Sequence, residues 1–594
     1  MSTLVSIFGC TTDCSLFNKK SFADINKLAT SYGFIVTPNA SNEDTYNYLM
    51  DNSFNPNMTL YNSWSEITSK SRLGLFIEQL LHYASTYGTN FEGEPLIFRD
   101  DDYTVEFNNF KLIDAVSNDE MFELCIKQLS SGAALKSDDV KVIMNYVVWY
   151  IRKYSYNVDK AFNMINNNEA KLIFIDTFNI FPKNGVEFFK FLVYKATNET
   201  MIVINEDMYN KIICSYYKLP KMTEYDLKTL AECFNRFKYL FMAFKKSNRL
   251  NKPIVNKIRR YAKTYHKPLK QMPSMNIVNS FYNDFDNLDK ELKTTTNFRL
   301  VSLLNYLYSL ENESSDSMYI VRNGKSFVKE TSHKNNVNVR SVIDYVRNIL
   351  VNNLKAKAGI IKYNEFVDLA CPTSTKNFIG EFPFGTAVNM NEDNYIGIYW
   401  KNKWGTFDFD LSLIDVINST KVGWNSSYYN RDQTVIYSGD ITSAPTGASE
   451  VIKIKKFDGD GLLLVNRFRG YENSKFIVFG GTSDKPFNNK SKYMVDPNTI
   501  VFKDMCISSN KESIIGFVTN NKLYFMSFHY SNARVSSTNK EQLNNALRSK
   551  VTNYLNLKEI LNDTGFIEFN PEIHETCDYD FTEINKNTLI ELFS

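Results

Sequence analysis

At 594 residues the chain is too long for one hydrophobic core, because cores stop growing near roughly 250–300 residues, so two or more domains are expected. An apolar share of 43% with 23% charged residues excludes a disordered or fibrous chain. A net charge of +2 excludes a whole-molecule basic field, so any recruitment of nucleic acid has to come from a local patch.

The N-terminus, Met1 to Cys10, is apolar without a positive leading region, and Phe8 stands where a lipoprotein signal wants a small residue; a chain that is not secreted is expected. No apolar run approaches the roughly 20 residues of a membrane span; Val142 to Ile151 is short and interrupted by Asn145. Eight scattered cysteines are too few for a disulfide framework and fit a reducing, cytoplasmic setting. The abundance of Asn, Lys, Ile, Tyr and Phe suggests AT-rich coding, as in a low-GC bacterium or its phage.

Residues 1–57 are mixed in pattern and assign no element. From Ser63 the period turns helical: Leu73, Phe76, Ile77, Leu80 and Leu81 share one helix face. Helical segments recur at Asp138 to Tyr154, Val186 to Ala196, Thr223 to Phe244, Pro253 to His266 and Phe298 to Leu310, which makes 58–312 an all-helical domain. In 313–376, Asn323-Gly324 between two short apolar runs predicts a hairpin, followed by a helix from Val339 to Leu354. Over 377–562 the period changes to strands. Tyr395 to Trp400, Val435 to Tyr437, Val451 to Ile454, Gly461 to Val465, Lys475 to Gly480 and Ile514 to Phe528 suggest a sandwich, closed by a helix from Lys540 to Asn562. The stretch 563–594 is acidic. The whole is an α+β multidomain chain with helices first and a β-sandwich second.

Between Cys233 and Asn283 stand twelve Lys or Arg and no Asp or Glu. Ile254, Ile258, Tyr261 and Tyr265 form an apolar stripe, which leaves Lys257, Arg260 and Lys263 to project elsewhere. Arg249, Lys257, Arg259, Arg260, Lys263 and Lys267 are the candidate residues for an anionic partner, RNA or another polyanion. A plain solvated face is the alternative.

The strand region holds the most specific string of the chain. Trp404-Gly405-Thr406-Phe407-Asp408-Phe409-Asp410-Leu411-Ser412 is followed by Tyr437-Ser438-Gly439-Asp440 and by Gly447-Ala448-Ser449-Glu450-Val451-Ile452. In order and spacing this resembles the TerD family, linked to tellurite resistance and bacterial stress responses, over about 377–562. The resemblance implies a calcium-binding β-sandwich with Asp408, Asp410, Asp440 and Glu450 as candidate ligands. Alternation independently puts Asp408 and Asp410 on one strand face, where two carboxylates repel unless a cation or solvent separates them. Ala448 and Ser449 stand where many family members carry acids, which implies fewer ligands and weaker binding.

No catalytic motif is present: the five histidines form no His-Glu-x-x-His pair, and there is no phosphate loop, nucleophile elbow or dinucleotide fingerprint. Cys10 and Cys14, the acidic loop around Glu92 to Asp102, and the segment His574 to Asp580 read better as ordinary structural or solvated features. The expected function is a TerD-like stress-response binding or adaptor protein that binds calcium and engages a protein partner through its helical part. The alternative is RNA binding by the basic helices within 236–270.

Overall fold

In a computed structural model of the chain, the described residues are 3–12, 21–56, a few positions between 71 and 77, and 110–594 apart from 181, 183, 269–270, 312–315, 321–324, 331–337, 391–392, 458, 483–494, 509–510, 531–539 and 583. Most of the helix expected at Leu73 to Leu81, the acidic loop around Glu92 and Cys14 lie outside them. Two compact units form, one from 1–17 with 114–294 and one from 18–113 with 295–593. The layout is α+β and multidomain.

The first unit is helical. Its N-terminal segment belongs to it because Thr11–Thr12 pairs in parallel with Ala115–Val116. Helices Asn118–Ser130, Ser137–Tyr154, Asn168–Phe178, Gly185–Thr197, Glu206–Cys214, Glu224–Ala231, Lys238–Ser247 and Asn251–Tyr265 follow one another. Polar caps set several starts: Asn184 accepts from the Glu187 amide, and Thr223 and Asp226 cap reciprocally. A phenylalanine cluster fills one core, with Phe189 4.8 Å from Phe237 and 4.2 Å from Phe241, ring centre to ring centre.

Two expectations need correction in this unit. Thr223 to Phe244 is not one helix but two, because the chain turns between Glu232 and Phe237 and buries Cys233, Phe234 and Phe237 there. The buried stripe of the Asn251–Tyr265 helix is Asn251, Val255, Ile258 and Ala262. Tyr265 is 40% exposed, and Ile254 and Tyr261 only flank the stripe.

The second unit is built on two sheets. Their strands are β1 (Asp316–Ile320), β2 (Lys325–Glu330), β3 (Val367–Asp368), β4 (Ala387–Asn389), β5 (Asn394–Trp400), β6 (Thr406–Asp415), β7 (Thr420–Gly423), β8 (Val435–Tyr437), β9 (Ala448–Ile454), β10 (Gly461–Gly470), β11 (Ser474–Thr482), β12 (Ile500–Ser508), β13 (Glu512–Thr519) and β14 (Lys522–Tyr530). One sheet runs β7-β6-β10-β13-β14-β4-β3, extended by the β1–β2 hairpin through β2 on β14; the other runs β8-β9-β5-β11-β12. All pairings within them are antiparallel except β2 with β14. The sheets face each other: Phe409 of β6 lies 6.1 Å from Trp400 of β5 and 5.1 Å from Phe476 of β11. On the outer side of the larger sheet, Leu462, Leu464, Ile514 and Phe517 bury against Leu547 and Val551 of the Lys540–Thr552 helix.

The expected hairpin is β1–β2, with Tyr319 opposite Phe327; its Asn323-Gly324 turn lies outside the described residues. Ile514 to Phe528 splits into β13 and β14 at Asn520 and Asn521, both left-handed with φ of 51° and 55°. The helix expected from Lys540 to Asn562 likewise splits, into Lys540–Thr552 and Leu557–Thr564. The acidic end folds onto the unit, while His574 to Asp580 is exposed or half-buried. Ile567–Glu568 and Tyr579–Asp580 both pair in parallel with Ile360–Lys362, and the Lys586–Phe593 helix buries Leu589, Ile590, Leu592 and Phe593. Among the described residues no helix is long and apolar enough to cross a membrane.

Candidate metal centre

Strand β6 carries the centre of the site. Cross-strand pairing sets its faces: Ser412 stands opposite Leu464 and Asp410 opposite Asn466, on the outer face; Leu411 and Leu413 stand opposite Val465 and Leu463, on the inner one. β7 pairs with β6 only from Ser412 onward. The edge of β6 before Ser412 is therefore open, and the loop after β8 comes in beside it, bringing Asp440.

Asp408, Asp410 and Asp440 meet there, each offering a carboxylate oxygen within 4.8 Å of the other two. Asp408 and Asp410 are fully buried and Asp440 is partly so. Oxygens that share one calcium at about 2.4 Å each cannot be more than about 5 Å apart, so the spacing fits a single ion. Asn466 donates from Nδ2 to Asp410 Oδ2 at 2.7 Å, which leaves its Oδ1 turned elsewhere. Asp410 Oδ1, Ser412 Oγ and Asn466 Oδ1 are buried with no hydrogen-bond partner among the described residues. Oxygen atoms thus form the cluster, with neither thiol nor imidazole among its groups, and this donor set suits a hard cation over zinc.

Glu450 does a different job from the three aspartates. It is fully buried, and its two carboxylate oxygens accept the amide of Leu411 at 2.7 Å and the amide of Ile441 at 3.0 Å. It ties the open edge of β6 to the loop that carries Asp440, which makes it a positioning residue. Gly439, with φ of 112°, lets the loop turn just before Asp440. Gly423, with φ of 148°, lies opposite Ser412, where a Cβ would come within 2.4 Å of Ser412 Oγ. Ala448 and Ser449, which replace the acids of the resembled pattern, are fully buried in β9.

The electrostatics follow from burial. Asp410 is held well above the usual carboxylate range by burial first and by Asp408 and Asp440 next. Glu450 is raised by burial, then by Asp410 and Asp440. Lys421 of β7 acts on Asp410 from the same face, but its ammonium donates to Asn425 Oδ1 at 2.8 Å, and burial lowers its own pKa. The cluster concentrates negative charge that only protons or a cation can offset.

The basic residues fall elsewhere, in the helical unit. Arg249, Lys257, Arg259, Arg260 and Lys263 are exposed, while Lys267 pairs with Glu232 at 2.6 Å. Asn466, Ser412, Lys421 and Gly423 are site residues that the sequence reading did not single out. The Asp-x-Asp-x-Ser spacing already places Ser412 on the aspartate face, whereas Asn466 is revealed only by the β6–β10 register. His574 accepts the Asn570 amide at 3.0 Å through Nδ1, a structural role within the C-terminal segment.

No protein-family model, curated protein or solved structure matches the chain.

Proposed function

We propose that the sheet-rich unit is a non-catalytic module that takes up one hard divalent cation, calcium before magnesium, at Asp408, Asp410 and Asp440. The protein would then act as a cation-dependent binding or adaptor protein of the kind its resemblance to the TerD family implies, with the helical unit engaging a partner. One observation carries the reading: three carboxylates converge, two of them fully buried, and on the same strand face Asp410 Oδ1 and Ser412 Oγ are buried with no hydrogen-bond partner among the described residues. Calcium is favoured because it accepts irregular sets of protein oxygens, whereas magnesium keeps several waters and demands near-octahedral geometry.

Terbium, a luminescent stand-in for calcium, tests this on the full chain after chelation. Tyr437 stands three residues before Asp440 in the chain and is fully buried, its pKa raised by burial first and then by the charges of Glu450, Asp440 and Asp410; it is the expected sensitiser of the terbium emission. The expected result is saturable emission, displaced by calcium and lost in Asp408→Asn/Asp440→Asn. Emission that survives this substitution, or none at all, overturns the assignment.

A further inference from the structure

Trp424 and Phe468 come from opposite sides of the strand that carries the aspartates. β7 and β10 flank β6 on its two edges. Trp424 follows Gly423, the last residue of β7, which stands opposite Ser412. Phe468 bulges from β10 between Arg467, opposite Phe409, and Arg469, opposite Asp408. Their rings nevertheless meet edge to face, with centres 5.5 Å apart. Strands two places apart in a sheet are separated by about 10 Å, so the two side chains reach toward each other across β6.

The contact lies on the outer face. Cross-strand partners share a face, so Lys421, opposite Ile414, and Glu512, opposite Asn466, stand on the face of Asp410 and Ser412. The Lys421 ammonium lies 5.3 Å from the Trp424 ring centre and acts on both Asp410 and Glu512. Lys511, next to Glu512, lies 5.9 Å from the Phe468 ring centre. The inner face at this level is filled by Phe409 against Trp400 and Phe476, and Phe468, 40% exposed, takes no part in it.

Asp408, Asp410 and Ser412 are fully buried although one edge of β6 is open beside them. The Lys540–Thr552 helix buries a different part of the outer face, around Leu462, Leu464, Ile514 and Phe517. The Trp424–Phe468 pair supplies cover over the aspartates. Trp424 Nε1 is buried with no hydrogen-bond partner among the described residues, so packing and the cations over the rings hold the indole in place.

We infer that Trp424 and Phe468 roof the cation site and set its preference for calcium over magnesium. The inference rests on the cation reading above and names residues that act by excluding water, without touching the ion. Under the roof, protein oxygens have to supply most of the ion's shell. Calcium accepts about six to eight irregularly placed oxygens, whereas magnesium dehydrates reluctantly and keeps several waters. Asp440, only partly buried, marks the side where a remaining water can sit.

Luminescence lifetimes of bound terbium in ordinary and in heavy water count the waters on the ion, and competition by calcium and by magnesium gives the preference. On the full chain, Trp424→Ala and Phe468→Ala should each add about one water and lower the preference for calcium roughly tenfold. Trp424→Phe, which keeps a ring, should stay near wild type. Phe468 is 40% exposed, so its truncation leaves the fold intact, and Tyr437 remains as sensitiser in every variant. Terbium bound to wild type, with water count and preference unchanged in both alanine variants, overturns the inference and leaves the cation site standing. A wild type that binds no terbium overturns the cation reading, and the roof falls with it.

Discussion

Asp410→Asn separates the two consequences of burying carboxylates together. The substitution keeps the side-chain shape and the acceptor for Asn466 Nδ2, and removes one negative charge from a fully buried position. Without a cation, the wild-type cluster is destabilising at neutral pH, because burial and like charges raise the Asp410 pKa. The variant should therefore melt no lower than wild type in chelator. With a cation the order reverses. A ligand at a hundredfold its Kd stabilises by about 2.7 kcal/mol. The sheet-rich unit has roughly 400 residues, and at about 2.1 cal/mol/K per residue this becomes a rise of about 3 °C in Tm. Differential scanning calorimetry in calcium and in chelator reads both effects, with wild type gaining the shift and Asp410→Asn losing most of it. The sign with pH is fixed too. A carboxyl whose folded pKa is raised contributes stability below its unfolded value, near about 4, and loses it as pH rises through the folded value. In chelator, wild type should gain on Asp410→Asn under mild acid, while the calcium shift shrinks as protons compete. A variant that keeps the full calcium shift, or that melts several degrees lower in chelator, refutes the reasoning.

Glu450→Leu removes the acceptor of two buried amides, Leu411 and Ile441, and should cost about 2–6 kcal/mol, read as a lower urea midpoint of the sheet-rich unit. Lys401 is 8% exposed, donates to Ser53 Oγ, lies 5.5 Å from the Trp404 ring, and has its pKa pushed down to about 8 by burial. Its folded pKa lies below the unfolded value, so the cost of holding it charged is full below pH 8 and disappears toward about 10.4. Lys401→Met should therefore stabilise the unit by about 1–3 kcal/mol near neutral pH, with the gain vanishing in alkali, measured by urea unfolding at several pH values. Asn251, fully buried, accepts the Leu219 amide and donates to the carbonyls of Tyr217 and Phe244. Asn251→Leu should cost the helical unit about 2–4 kcal/mol, read from its thermal midpoint.

The helices were legible wherever an apolar face repeats without a break, as at Val339–Leu354. The turn after Ala231 is hidden in the sequence because Cys233, Phe234 and Phe237 are apolar and continue both neighbouring patterns. In β13–β14 the break was written as Asn520-Asn521, residues that tolerate the left-handed region, yet the apolar run on either side concealed it. What escaped was contact between distant segments. Asn305 accepts the Leu555 amide and Arg347 pairs with Asp563, so the helices of 297–354 fold with the sheets, and no local pattern announces that. The same division holds at the site. The alternation of Asp408 and Asp410 is local, while Asn466 and the tie made by Glu450 depend on register across chain separations of 56 and 39 residues.

Calorimetric titration of calcium into the chelated full-length protein, beside Asp410→Asn, addresses the cation site most directly. One calcium per chain with proton release on binding, lost in the variant, is the predicted result. No heat in wild type up to millimolar calcium, or an unchanged isotherm in Asp410→Asn, would contradict it.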